Sequence, residues 1–193
     1  MRCTLFTRCL AVALCSAFLT FALPQAHARG SALDLAGRPV NPLATGSRKL
    51  VALIFVRTDC PISSRYAPTI QRLSEQYRRE AEFFLVFPDK TESSAAIRTY
   101  LSDYHYTIPA LRDPDHALVK LARAQITPEA AVFDAKRALA YHGRIDNLYV
   151  DVARARPSAT THELDDMLHA LTRGSTPLTK ETAAVGCYIS DLP

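Results

Sequence analysis

Two continuous apolar runs, LVALIFV over 50–56 and FFLVF at 83–87, interrupt a chain that is otherwise patterned in helical periods. Runs rich in β-branched and aromatic residues, with no polar alternation, predict strands covered on both faces. Between them Ile70, Leu73 and Tyr77 recur at helical spacing among charges, which predicts one helix over 61–80. SSAAIRTYLSDYHY predicts a second helix capped by Ser93 or Ser94, and DPDHALVKLARAQ a third opened by Asp113-Pro114. AAVFDA and LAYHGRI predict a hairpin turning at Lys136-Arg137. THELDDMLHALTRG predicts a last helix that begins at Thr161 and stops at Gly174. The lead-in GSALDLAGRPVNPLATGSRK reads as a strand or hairpin, and STPLTKETAAVGCYISDLP as a polar, irregular tail. Strands joined early by helices run parallel. The order therefore predicts a three-layer α/β/α sandwich on a mixed sheet that ends in an antiparallel hairpin.

The first residues fall outside this pattern. MRCTLFTRCL carries Arg2 and Arg8 without an acid, an apolar run of 14 follows, and PQAHA closes on Ala26-His27-Ala28. These are the n-region, h-region and cleavage site of a secretory signal peptide over 1–28. The run is short of the roughly 18 residues that a stable membrane span needs. The expected product is a periplasmic or secreted chain with a domain over 29–175 and a tail over 176–193. A length of 193 residues suits one domain, 48% hydrophobic residues argue against disorder, and a formal charge of +4 without a basic block points away from nucleic acid.

Cleavage also simplifies the cysteine inventory. Cys3, Cys9 and Cys15 leave with the signal, so Cys60 and Cys187 remain in an oxidising compartment. Cys60 falls at the seam between the first core strand and the first helix. There Pro61 occupies a first-turn position whose missing N–H costs nothing. Free amides at a helix start favour a thiolate, and Arg57 and Arg65 stand within five positions to add positive potential. The alternative is an inert core thiol. Flanking Asp59, Pro61 and Ser63 make Cys60 hard to bury as a plain hydrophobe, which favours a reactive role.

The stretch FVRTDCPISSRYAPTIQRLSEQY resembles the active-site strand and helix of the thioredoxin superfamily, with Pro68 eight residues after Cys60. QITPEAAVFD resembles the superfamily's Thr-Pro pair, which has a cis bond before a core strand and faces the cysteine. The lead-in LDLAGRPVNPL is similar to the amino-terminal hairpin of the redoxin and peroxiredoxin-like (AhpC/TSA-type) branch. The resemblance implies that Thr127 offers backbone bonds to a substrate strand and that Pro128 shapes the groove. Two positions depart from it. Cys60-Pro61-Ile62-Ser63 has serine where the familiar redox motif has a second cysteine, and Leu53 and Arg57 stand where the peroxiredoxin site has proline and threonine.

Cys187 is the substitute for the missing thiol, either as a remote resolving cysteine or as one end of a permanent bridge that ties down the tail. The expected activity is that of a thiol–disulfide oxidoreductase acting on a protein thiol, a disulfide or a peroxide. It needs no organic cofactor, and its electron-donor partner is unnamed. The alternatives are a peroxiredoxin-like peroxidase and a copper-binding protein on the same fold, since thiolate and imidazole suit copper.

Overall fold

The computed structural model describes residues 31–45, 50–175, 179–190 and 192. The proposed signal segment 1–28 lies outside the described residues. The lead-in forms a hairpin of β1 (Ala32–Asp34) and β2 (Pro39–Val40), followed by the short helix α1 (Pro42–Thr45). Gly37 takes a φ of +81° at the hairpin turn, a left-handed value that suits glycine. The first apolar run is β3 (Leu50–Phe55). It is followed by α2 (Pro61–Arg65) and α3 (Ala67–Gln76), then by the second run, β4 (Ala81–Phe87).

The helix expected over 61–80 is thus two helices. Pro68 has no N–H for the carbonyl of Ser64 and its ring would clash there, so the chain breaks at Tyr66 and restarts. Helix α4 (Ser94–Asp103) begins as expected, with Ser93 Oγ accepting the Ala96 N–H at 3.1 Å. A short strand that the pattern did not signal, β5 (Ala110–Arg112), follows it.

Helix α5 (Ala117–Ala122) starts four residues after Asp113. Asp113 caps it at a distance: its carboxylate accepts the N–H groups of Ala117, Leu118 and Val119 at 2.8–2.9 Å. Next come β6 (Ile126–Thr127), β7 (Glu129–Phe133) and β8 (Leu139–Gly143). The predicted hairpin is β7–β8, with Asp134 Oδ1 accepting the amides of Lys136 and Ala138 across the turn. A small ribbon, β9 (Tyr149–Asp151) and β10 (Arg154–Ala155), precedes α6 (Glu163–Thr172). Thr161 does not cap α6; its hydroxyl donates to Glu163 at 2.6 Å. The tail contains a last strand, β11 (Cys187–Tyr188).

Seven strands form one mixed sheet in the order β2-β1-β5-β4-β3-β7-β8. Strands β3, β4 and β5 are parallel, β7 runs antiparallel beside β3, and β8 runs antiparallel beside β7. Alternate residues of β3 face opposite sides. Leu50, Ala52 and Ile54 join Ile70, Ile97 and Leu168 in one core, while Val51, Leu53 and Phe55 join Leu118, Val119 and Ile189 in the other. Helices α3, α4 and α6 therefore cover one face and α5 the other, which is the expected three-layer sandwich. Among the described residues no helix is long and apolar enough to cross a membrane.

Candidate functional site

The central strand β3 delivers the chain into a tight loop that is held from two sides. The Thr58 N–H donates to Glu92 Oε1 at 2.6 Å, and the Arg57 N–H donates to Ser63 Oγ at 3.4 Å. Burial pushes the Glu92 carboxyl up, against the lowering effect of the Thr58 amide. Sequence reasoning missed Glu92, because a glutamate in a polar loop carries no pattern that points to a backbone amide 34 residues away.

Cys60 ends this loop at the cap position of α2, with exposed Pro61 as the first helical residue. Its side chain is 1% exposed and closely engaged. As a thiol it donates to Thr127 O at 3.2 Å, and the Cys187 sulfur lies against its own, 2.6 Å away. The peptide bond Thr127–Pro128 is cis. Pro128 lines a narrow space with Tyr66 and Val185.

The two sulfurs have opposite acidities. Burial raises the Cys60 thiol, but the hydrogen bond from Cys187 and those of the Ser63 amide and hydroxyl outweigh it and hold Cys60 below the ordinary range. Burial, the bond to Cys60 and the charge of Cys60 push Cys187 up to about 12. The shifts favour ionisation at Cys60 over Cys187, while the hydrogen bond that the Cys60 thiol gives to Thr127 O favours its protonated form.

Cys187 reaches this position because two residues of an otherwise irregular tail pair as a strand. Cys187 and Tyr188 pair antiparallel with Thr127 and Ile126. Thr127 Oγ1 donates to Cys187 O at 3.2 Å, and Ile189 N donates to Gln125 O at 2.9 Å. Upstream, Lys180 and Thr182 bond the backbone of His142. The tail therefore runs along the end of the sheet and crosses it: Cys187 packs on one core, and Ile189, 4% exposed, is buried in the other. A two-residue strand has no periodicity to read, which is why its pairing was not foreseen.

The remaining expected residues divide. Ser63 is fully buried under Cys60. Arg57 points its charge to Asp59 at 2.9 Å and Asp89 at 3.2 Å, and reaches Tyr188 O at 3.5 Å. It ties the tail to the loop, and its charge lowers the Cys187 thiol against the raising effects of burial and of Cys60. Arg65 lines an open cleft of about 800 Å³ with Thr58, Cys60, Gln71, Tyr104 and His105, on the α2–α3 side of the cysteine. Arg144 pairs with Glu163 and holds that carboxyl below its usual range against the raising effect of burial. Among the described residues no group of three His, Cys, Asp or Glu gathers to hold a metal ion.

A mixed sheet with a cysteine between β3 and α2 and a cis Thr-Pro before β7 defines a thioredoxin-like redoxin domain. The family model of the AhpC/TSA family matches residues 18–142, and the chain belongs to that family. No curated protein sequence matches significantly. Among solved structures, an uncharacterized conserved protein of Geobacillus kaustophilus is 20% identical with a TM-score of 0.71, over 86% of this chain and 90% of its own. A hypothetical protein of Sinorhizobium meliloti is 19% identical with a TM-score of 0.70, over 84% and 91%. A secreted disulfide oxidoreductase of Mycobacterium tuberculosis is 18% identical with a TM-score of 0.55, over 74% and 96%. At these identities the likeness shows the fold.

Proposed function

We propose that this chain is an exported thiol–disulfide oxidoreductase in which Cys60 is the nucleophile and Cys187 the resolving sulfur. One observation carries the reading: the fold brings the sulfurs of Cys60 and Cys187, 127 positions apart in sequence, to 2.6 Å from each other at the start of α2, beside the cis Thr127–Pro128 bond. The Cys60 thiolate attacks one sulfur of a substrate disulfide, breaks the S–S bond and expels the other half as a thiolate. Cys187 then loses its proton to solvent and attacks the Cys60 sulfur of the mixed disulfide. The second half leaves, and a Cys60–Cys187 disulfide remains. The substrate gains two electrons and the protein loses them, and a dithiol reductant returns the pair to its starting state.

Export is part of the proposal. The signal pattern over 1–28 supports an oxidising compartment for the pair, where such exchange is sustained. A secreted disulfide oxidoreductase of the same fold is consistent with this chemistry. Family membership also favours a peroxide as an alternative oxidant, with Cys60 taking one oxygen and Cys187 displacing it as water. Copper held by the two sulfurs lacks a third ligand among the described residues.

The test is a thiol-state titration of the full chain across glutathione redox buffers, with a parallel arm containing peroxide. The expected result is a reversible Cys60–Cys187 disulfide, no turnover of a model disulfide by Cys60→Ser, and a trapped mixed disulfide in Cys187→Ser. A pair whose redox state is the same at every potential, or a Cys60→Ser chain that still reduces the disulfide, overturns the reading. Faster oxidation by peroxide than by disulfide would reassign the oxidant.

A further inference from the structure

What covers Cys60 is the chain's own tail. Gly186, Cys187 and Tyr188 lie along Thr127 and Ile126 as an added antiparallel strand, and Ile189 continues the hydrogen bonding to Gln125. With that strand in place Cys60 is 1% exposed. Any extended chain that brings a cysteine to Cys60 by pairing with β6 must occupy the register that Cys187 occupies now.

We infer that residues 186–189 are an intramolecular pseudosubstrate, and that the substrate is an extended polypeptide whose cysteine follows a glycine and precedes, by two places, an aliphatic residue. The inference rests on the oxidoreductase reading and adds its substrate class. Each position of the tail supplies one element of the pattern. A Cβ at Gly186 would sit 2.1 Å from Thr127 O and 2.9 Å from Ile126 Cγ2, so the residue before the cysteine can carry no side chain. Tyr188 is 78% exposed, so the next position is free to vary. Ile189 is buried in the core of the second sheet face, so the position after that is apolar. Backbone bonding to a strand edge supplies affinity and the alternate side chains supply choice, as in other strand-addition complexes. The consequence for the free protein is that tail and substrate compete for one slot.

The experiment uses the reduced full chain carrying Cys187→Ala, which keeps the strand and removes its thiol. Peptides activated as 2-pyridyl disulfides report attack directly: the Cys60 thiolate bonds to the peptide sulfur and pyridine-2-thiolate leaves as a chromophore. A peptide with the tail's order, Val-Gly-Cys-Tyr-Ile-Ser, is expected to react about tenfold faster than one with valine before the cysteine and aspartate two places after it. Adding Gly186→Ala to the Cys187→Ala chain, which forces the tail strand away from Thr127, is expected to raise the rate with the matched peptide by a similar factor. Equal rates for the two peptides overturn the inference even if the Gly186→Ala chain fails to fold. In a folded Gly186→Ala chain, an unchanged rate also overturns it. Free dipyridyl disulfide separates the two readings. Cys60 that reacts with it but does not discriminate the peptides leaves the oxidoreductase standing and the pseudosubstrate refuted, whereas Cys60 inert to it in both chains removes both.

Discussion

At the scale of single residues, the acidity of Cys60 reflects both its place at a helix start, through the first-turn amide of Ser63, and the side chains around it. Ser63 is fully buried beneath it and lowers its pKa through both amide and hydroxyl, and Cys187 does so through its S–H. Thiolate absorbance of the reduced protein should therefore titrate with a midpoint below the roughly 8.5 of an unperturbed cysteine. Ser63→Ala should move that midpoint upward, because burial then acts with one opposing hydrogen bond fewer. A midpoint unmoved by Ser63→Ala would remove the hydroxyl from the account. The sequence made Cys60, Pro61 and Thr127-Pro128 visible, because each is a residue type with a fixed local consequence. Glu92 and Gly186 were not visible, because their roles are contacts made across the fold.

Among the elements, the long apolar strands and the helices with strong periodicity were readable, and what failed was short or interrupted. Helix 61–80 broke at Tyr66 under the constraint of Pro68. Strand β5 has three residues and one buried leucine, too few to make a pattern. The Asp113-Pro114 start placed α5 in the right region but a few residues early, and the aspartate caps it from outside the helix through three amides. Asp113→Ala should cost about 1–2 kcal/mol of stability, the usual range for a lost cap. Urea unfolding is the measurement, and a loss under about 0.5 kcal/mol, the floor of that range, would mean that solvent replaces the carboxylate.

For the whole molecule, the two cysteines are 127 positions apart and in contact only because the tail crosses the end of the sheet. A bond between them closes the chain from the start of α2 to β11 into one loop. In the chain-entropy account that loop stabilises the oxidised protein by on the order of 5 kcal/mol relative to the reduced one. Denaturant unfolding of the two redox forms should show a clear difference in midpoint, and coincident curves would mean that the reduced unfolded chain already keeps its ends close. The architecture of layers was legible, since it follows from the order of strands and helices, and the meeting of Cys187 with Cys60 was expected from the two remaining cysteines, but the path of the tail along β6 was not, since a polar tail gives no sign of where it docks. That closure makes β11 both the cover over the reactive sulfur and the carrier of the second one. A bound partner that lifts the cover also carries away the group that would release it. On the proposed function, the lifetime of the covalent intermediate would be the return time of a four-residue segment, and the fold would contain a clock as well as a nucleophile.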